Sequence, residues 1–257
     1  MCFYATQPDG SQVVALRASG LLSVVFDCSG EIECIGPLGP SMNNINEIAF
    51  RATIKEEGNA MFVANKQGVA RVALSGSELG EFPGIPVINQ LGQVAFRADH
   101  GRNGARLFLT TGTQVDAIAS EQHDFVEMSY HPGLDDEGQV SFGAVTADGF
   151  GGIYMGSVDN SRLVVNCGSQ FEAFRSAYVA NDGRFLAVGV TAGGNMGLYT
   201  GVGDGIGRII GIGDTLLGVP VVEMALNPVS VNAGLQAAIR VLLADARQAI
   251  LLAEPCQ

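Results

Sequence analysis

Asn89-Gln90-Leu91-Gly92-Gln93-Val94-Ala95-Phe96-Arg97-Ala98 decides the fold, because close relatives of this stretch start at Asp9, Asn43, Asp135, Asn181 and Asn232. Successive starts are 34, 46, 46, 46 and 51 residues apart. Self-similarity at a period of roughly 20–50 residues marks propellers, solenoids and related arrays. Slot one is Asn or Asp in all six copies. Slot seven is small throughout (Ala15, Ala49, Ala95, Ser141, Ala187, Ala238), whereas slot eight is Leu16, Phe50, Phe96, Phe142, Val188 and Ile239. Alternate residues of a strand face opposite ways, so each copy predicts a strand with one bulky and one small apolar face, to be covered on both sides.

A second apolar cluster follows slot eight: Met61-Phe62-Val63, Leu107-Phe108-Leu109, Ile153-Tyr154-Met155, Leu198-Tyr199-Thr200 and Ile250-Leu251-Leu252, with Val24-Val25-Phe26 in the first copy after a shorter loop. A third run follows a Gly, Asn or Asp turn, as in Val69–Ala73, Val115–Ile118 and Arg208–Ile210. These are three-stranded antiparallel meanders, and the stretch before each new Asn, such as Phe125–Met128, is a candidate fourth strand. A four-stranded unit of about 40–50 residues suits a propeller blade. The expected fold is all-β, a single β-propeller domain over residues 1–257 with six blades of three to four strands, five blades or an open array being the alternatives. The last copy stops after its second cluster and Met1–Thr6 is a spare segment, so pairing of the N- and C-terminal segments is expected to close the array.

The repeats resemble those of the NxxGxxAF tandem-repeat proteins, a bacterial group of undetermined function, whose pattern Asn89–Phe96 matches in full. Other copies drift: Asn46 takes the glycine slot of the second copy, and the fifth and sixth carry Gly183 and Gly234 one slot early. A turn needing one residue at positive φ tolerates such drift. The resemblance supplies no catalytic residues.

Composition narrows function. With 14 Lys plus Arg against 26 Asp plus Glu, the net charge of −12 repels phosphate backbones and anionic lipid, so neither nucleic acid nor membrane is an expected partner. The N-terminus lacks the basic and apolar regions of a signal peptide, which places the chain as written in the cytoplasm, or outside it if a signal has been removed. Five cysteines (Cys2, Cys28, Cys34, Cys167, Cys256) without a CxxC pair read as buried free thiols rather than a disulfide framework or zinc site, with a Cys2–Cys256 pairing conceivable if the ends meet. No cofactor loop is present, and Gly201–Gly207 reads as a hairpin. The chain has no Trp to serve as a sugar platform.

The slot-one Asn and Asp side chains read as caps of their own turns, a cation-binding ring being the alternative. Slot nine is Arg17, Arg51, Arg97, Gly143, Gly189 and Arg240; in a closed ring the four arginines form an arc, reaching a channel if their strands are innermost. Such cations require either blade carboxylates or a bound anion. His123 and His131 lie on expected turns, and these two with His100 read as exposed loop histidines, a catalytic or metal-binding role being the alternative. The expectation is a non-catalytic propeller that binds a small anionic ligand or a protein, with Arg17, Arg51, Arg97 and Arg240 as candidate ligand contacts. The alternatives are an assembly role, or an enzyme acting on an anionic small molecule with Tyr130 or His131 as acid or base.

Overall fold

Each Asn- or Asp-led turn runs straight into a strand, and in the third copy Val94, Ala95 and Phe96 on that strand have no solvent exposure. The computed structural model describes residues 1–76, 78–121, 125–158 and 160–254. The chain forms two compact units, one of Met1–Ser120 with Asp136–Gly138, the other of Glu121–Asp135 with the chain from Gln139 onward.

The first unit holds three antiparallel sheets. The first is β1 (Cys2–Thr6), β2 (Gln12–Ala18) and β3 (Leu21–Asp27). In the second, β4 (Ile32–Ile35) and β5 (Ser41–Met42) both pair with β6 (Ile48–Ile54), followed by β7 (Gly58–Asn65) and β8 (Gly68–Leu74). The third is β9 (Val87–Ile88), β10 (Val94–Asp99), β11 (Ala105–Thr111) and β12 (Gln114–Ser120).

The second unit repeats the plan. Its sheets are β13 (Glu127–Met128) and β14 (Gly133–Leu134) on β15 (Val140–Val145), then β16 (Gly151–Ser157) and β17 (Asn160–Gly168); β18 (Phe171–Val179), β19 (Arg184–Thr191), β20 (Met196–Val202) and β21 (Gly205–Gly211); and β22 (Thr215–Leu216), β23 (Val219–Val231), β24 (Ala237–Leu243) and β25 (Gln248–Ala253). The six sheets are the expected six blades. Gly201–Gly207 is the expected hairpin, turning at Gly203-Asp204 between β20 and β21.

Three expectations need correction. The strand before each Asn opens the sheet that follows it rather than ending the one before, as Glu127–Met128 pairing with β15 shows. Consequently the slot-bearing strand is second in the first five sheets and third in the sixth, not innermost. Met1–Thr6 does not seek the C-terminal strand: Cys2–Thr6 pairs with Leu16–Gln12 of β2, and β25 pairs with β24. β1 is the opening strand that the first copy needs, so it is no spare segment.

Inside each unit consecutive sheets stack through their apolar faces. Val14 and Phe26 of the first sheet pack with Phe50 and Phe62 of the second, and Ala49, Met61 and Val63 of the second with Phe82, Phe96 and Phe108 around the third. The slot-eight aromatic sits directly across from an aromatic on the next strand, with ring centroids 5.5 Å apart for Phe50–Phe62, 5.5 Å for Phe96–Phe108 and 5.8 Å for Phe142–Tyr154. The fifth copy departs by one position: Leu198 faces Val188, and Tyr199 faces the small-slot Ala187.

The turns are side-chain capped. Asn89 Oδ1 accepts from the backbone N–H of Leu91 (3.1 Å) and Gln93 (3.0 Å), and Asn43 and Asn232 do the same in their copies. Asp9 accepts from both the hydroxyl and the N–H of Ser11, which hold its carboxyl below the ordinary range. In the sixth copy the positive φ falls on Leu235 (60°) rather than on Gly234, and in the second on Asn46 (65°).

Asn46 is exposed and Gly92 meets the same requirement at φ 75°. Asn46→Gly is therefore expected to stabilise by a few tenths to about 1 kcal/mol, whereas Phe96→Ala is expected to cost about 3–5 kcal/mol. Urea denaturation midpoints of the two variants check both signs.

Candidate functional site

Slot nine resolves into three kinds of site. Arg51 is half-buried: Nε and Nη2 donate to the Gly36 carbonyl at 3.1 and 2.9 Å, and Nη1 donates to the Phe82 carbonyl ahead of the third sheet. Burial lowers its pKa, with Tyr4, Cys34 and Glu81 opposing that shift. The Tyr4 ring lies against Gly36, where an added Cβ would stand 3.2 Å from Cε2. The Tyr4 hydroxyl is buried with no hydrogen-bond partner among the described residues, and burial pushes its pKa up. Arg51 thus acts as a clamp between the second and third sheets.

Arg97 is buried and its Nε meets Asp99 Oδ1 at 2.8 Å, while Arg240 pairs with Glu223 and contacts Gln248 Oε1 at 3.5 Å. Gly143 and Gly189 form the third kind. A Cβ on Gly143 would stand 2.0 Å from Phe174 Cβ, and one on Gly189 would stand 2.8 Å from Phe171 Cδ1. Phe174 belongs to β18 of the next sheet, so an aromatic ring fills in the fourth copy the gap that Arg51 spans in the second. Slot nine therefore bridges sheets in the second and fourth copies and is filled from within its own sheet in the third, fifth and sixth, and three of its four arginines have protein partners.

Arg17 is the exception. It is exposed, and among the described residues its guanidinium has no hydrogen-bond or ion-pair partner. Its neighbour across the strand pair is Leu22. On its face Met1, Leu22 and Val24 are 71, 67 and 54% exposed, an apolar surface on the first sheet interrupted by one cation, while Leu21, 76% exposed, lies on the other face at the start of β3. Beside that apolar surface a groove of about 380 Å³ runs along Val24–Asp27 to Ser29 and Ile32.

The other candidates do not converge on a reaction centre. Tyr130 is exposed, His131 forms an isolated parallel bridge with Ser176, and Ser129 Oγ donates to the His131 carbonyl at 3.5 Å. His100 precedes a short turn over Gly101–Asn103, and His123 lies outside the described residues. Among the described residues no group of three His, Cys, Asp or Glu side chains could hold a metal, and no helix is long and apolar enough to cross a membrane. The thiols divide: Cys167 is buried, Cys2 and Cys28 are partly covered, and Cys34 is exposed, so the uniform burial expected of them is incorrect. Cys256 lies outside the described residues.

No family model and no curated protein matches the chain. Among solved structures, the fucose-specific lectin from Aleuria aurantia is similar at 11% identity, over 97% of this chain and 85% of that one, with a TM-score of 0.52. The BP39L lectin from Burkholderia pseudomallei is similar at 14% identity over 98 and 77% of the two chains, TM-score 0.51. A prolyl endopeptidase is similar at 12% identity with a TM-score of 0.60, and there this chain spans 42% of the other. The fold is that of a β-propeller.

Gly143→Ala is expected to destabilise by about 1–3 kcal/mol because Phe174 must move, read as a lower Tm. In native alkylation at mildly alkaline pH, Cys34 is expected to react before Cys167, whose thiol burial pushes up to about 12. Mass mapping of the modified cysteines checks that order.

Proposed function

We propose that this protein is a non-catalytic binding propeller that engages a protein partner through the exposed face and edge of its first sheet. The observation that carries this reading is the set of exposed Met1, Leu22 and Val24 on the face of Arg17, with exposed Leu21 beside them at the start of the β3 edge. Contiguous exposed apolar side chains rimmed by polar groups mark contact surfaces on soluble proteins, and Arg is among the residue types enriched at the centre of interfaces.

The anionic-ligand and enzyme readings rested on an arc of uncompensated arginines. Carbonyls of Gly36 and Phe82 hold Arg51, and carboxylates hold Arg97 and Arg240, which among the described residues leaves Arg17 alone of the four without a partner. A sugar-binding reading, prompted by the lectin likeness, gains no support from the repeat tyrosines: Tyr199 is buried against Phe171, and the partly buried Tyr154 packs on Phe125 and Phe142. The NxxGxxAF resemblance is consistent with a scaffold whose repeats fold the molecule and whose departures from repetition carry its contacts.

The test is selection from a random peptide library on the protein and on a Leu21→Lys, Leu22→Lys double variant. Both leucines are exposed, so the fold should persist. Peptides enriched on the parent and lost on the variant are expected. Failure to enrich, together with a Tm raised by small carboxylates, phosphates or fucose, would replace this reading with a small-ligand one.

A further inference from the structure

The first sheet lacks a strand that four others possess. In sheets two to five a fourth strand lies antiparallel on the third: β8 on β7, β12 on β11, β17 on β16 and β21 on β20, with one register shift in three of these pairs and two in β16–β17. Among the described residues nothing takes that place on β3. The chain leaves β3 at Asp27 and enters β4, which pairs into the second sheet. The sequence carries the same omission, since the first spacing is 34 residues against 46 for the next three, a shortfall of 46 − 34 = 12, about one strand and its turn. The shorter loop expected in this copy is a small part of that difference.

The existing fourth strands are also protected as edges. Each carries one charged residue inside the strand: Arg71 in β8, Asp116 in β12, Arg162 in β17 and Arg208 in β21. Charges on an edge strand discourage pairing with another chain. β3 reads Leu-Leu-Ser-Val-Val-Phe-Asp, with no charge before its last residue, and its side chains are largely exposed. The protection found on the four fourth strands is thus missing on β3, where the groove along Val24–Asp27 and Ile32 opens.

Resting on the binding reading above, we infer that β3 is completed by an extended segment of a partner polypeptide, which adds antiparallel as the fourth strand and presents apolar residues with one basic side chain. The four resident fourth strands define its chemistry: short, β-forming, and carrying an arginine in three of four cases. A basic residue meets Asp27 at the end of the groove and suits a chain of net charge −12. Strand addition draws affinity from main-chain hydrogen bonds and specificity from alternate side chains.

The probe is a labelled seven-residue peptide copying Gly68–Leu74, the strand that covers β7, titrated into the full chain by fluorescence anisotropy. Two derivatives separate strand addition from side-chain docking. One is N-methylated at the positions of Val69, Arg71 and Ala73, the other at those of Ala70 and Val72. Successive amides of a strand point to opposite edges, so one derivative is expected to lose at least tenfold in affinity while the other binds like the parent. Val24→Lys is expected to weaken the parent peptide at least tenfold with an unchanged Tm. Equal binding of both derivatives, no binding of the parent peptide, or a dimer dissociated by Val24→Lys in light scattering would each overturn strand addition. The library selection judges the broader binding reading independently, so the two fail separately.

Discussion

The structure depends on a strand that is apolar on both faces. Val94, Ala95 and Phe96 are fully buried, and so are Ile48, Ala49 and Phe50 one repeat earlier. Burying each large side chain is worth about 1.5–3 kcal/mol, but a lone sheet covers one face at most. Neighbouring sheets must therefore lie on either side, and small residues at slot seven let them approach against the large ones at slot eight. Sheet stacking, the Asn-capped entry turn and the cross-strand aromatic pair all follow from that requirement.

Equivalent positions of neighbouring repeats are also joined by hydrogen bonds at a separation of 46 residues. Asn43 Nδ2 donates to the Asn89 carbonyl at 3.0 Å, and the Asn44 N–H donates to Gln90 Oε1 at 3.0 Å. The Gln90 N–H donates to Asp136 Oδ1, also at 3.0 Å. Turn chemistry thus sets the spacing between copies as well as the entry into each strand. The slot-one side chains at Asn43, Asn89 and Asn232 are thus engaged in folding contacts.

The repeat period, the strand alternation, the turn caps and the six-sheet plan were legible in the sequence because each depends on residues close together in the chain. What was not legible depends on residues far apart. A short strand such as Glu127–Met128 can open one sheet or close another, and hydrogen bonds to β15 decide which. The alternation of arginine and glycine at slot nine suggested an arc of cations. Its cause is the ring of Phe174, delivered from another sheet to the position a Gly143 side chain would take. The first-sheet edge had a usable signal in the 34-residue spacing, but a missing strand and a short loop look alike until pairing partners are known.

The central claim is that β3, which no described strand covers beyond β2, keeps that edge open in the free protein, unlike the equivalent strands β7 and β11. Amide hydrogen exchange resolved by residue measures this directly. Alternate amides in Leu21–Asp27 should exchange orders of magnitude faster than any in Gly58–Asn65 or Ala105–Thr111, whose two edges are both paired. Protection of every Leu21–Asp27 amide to the level of β7 would contradict the account, because it would mean that the first sheet is already complete.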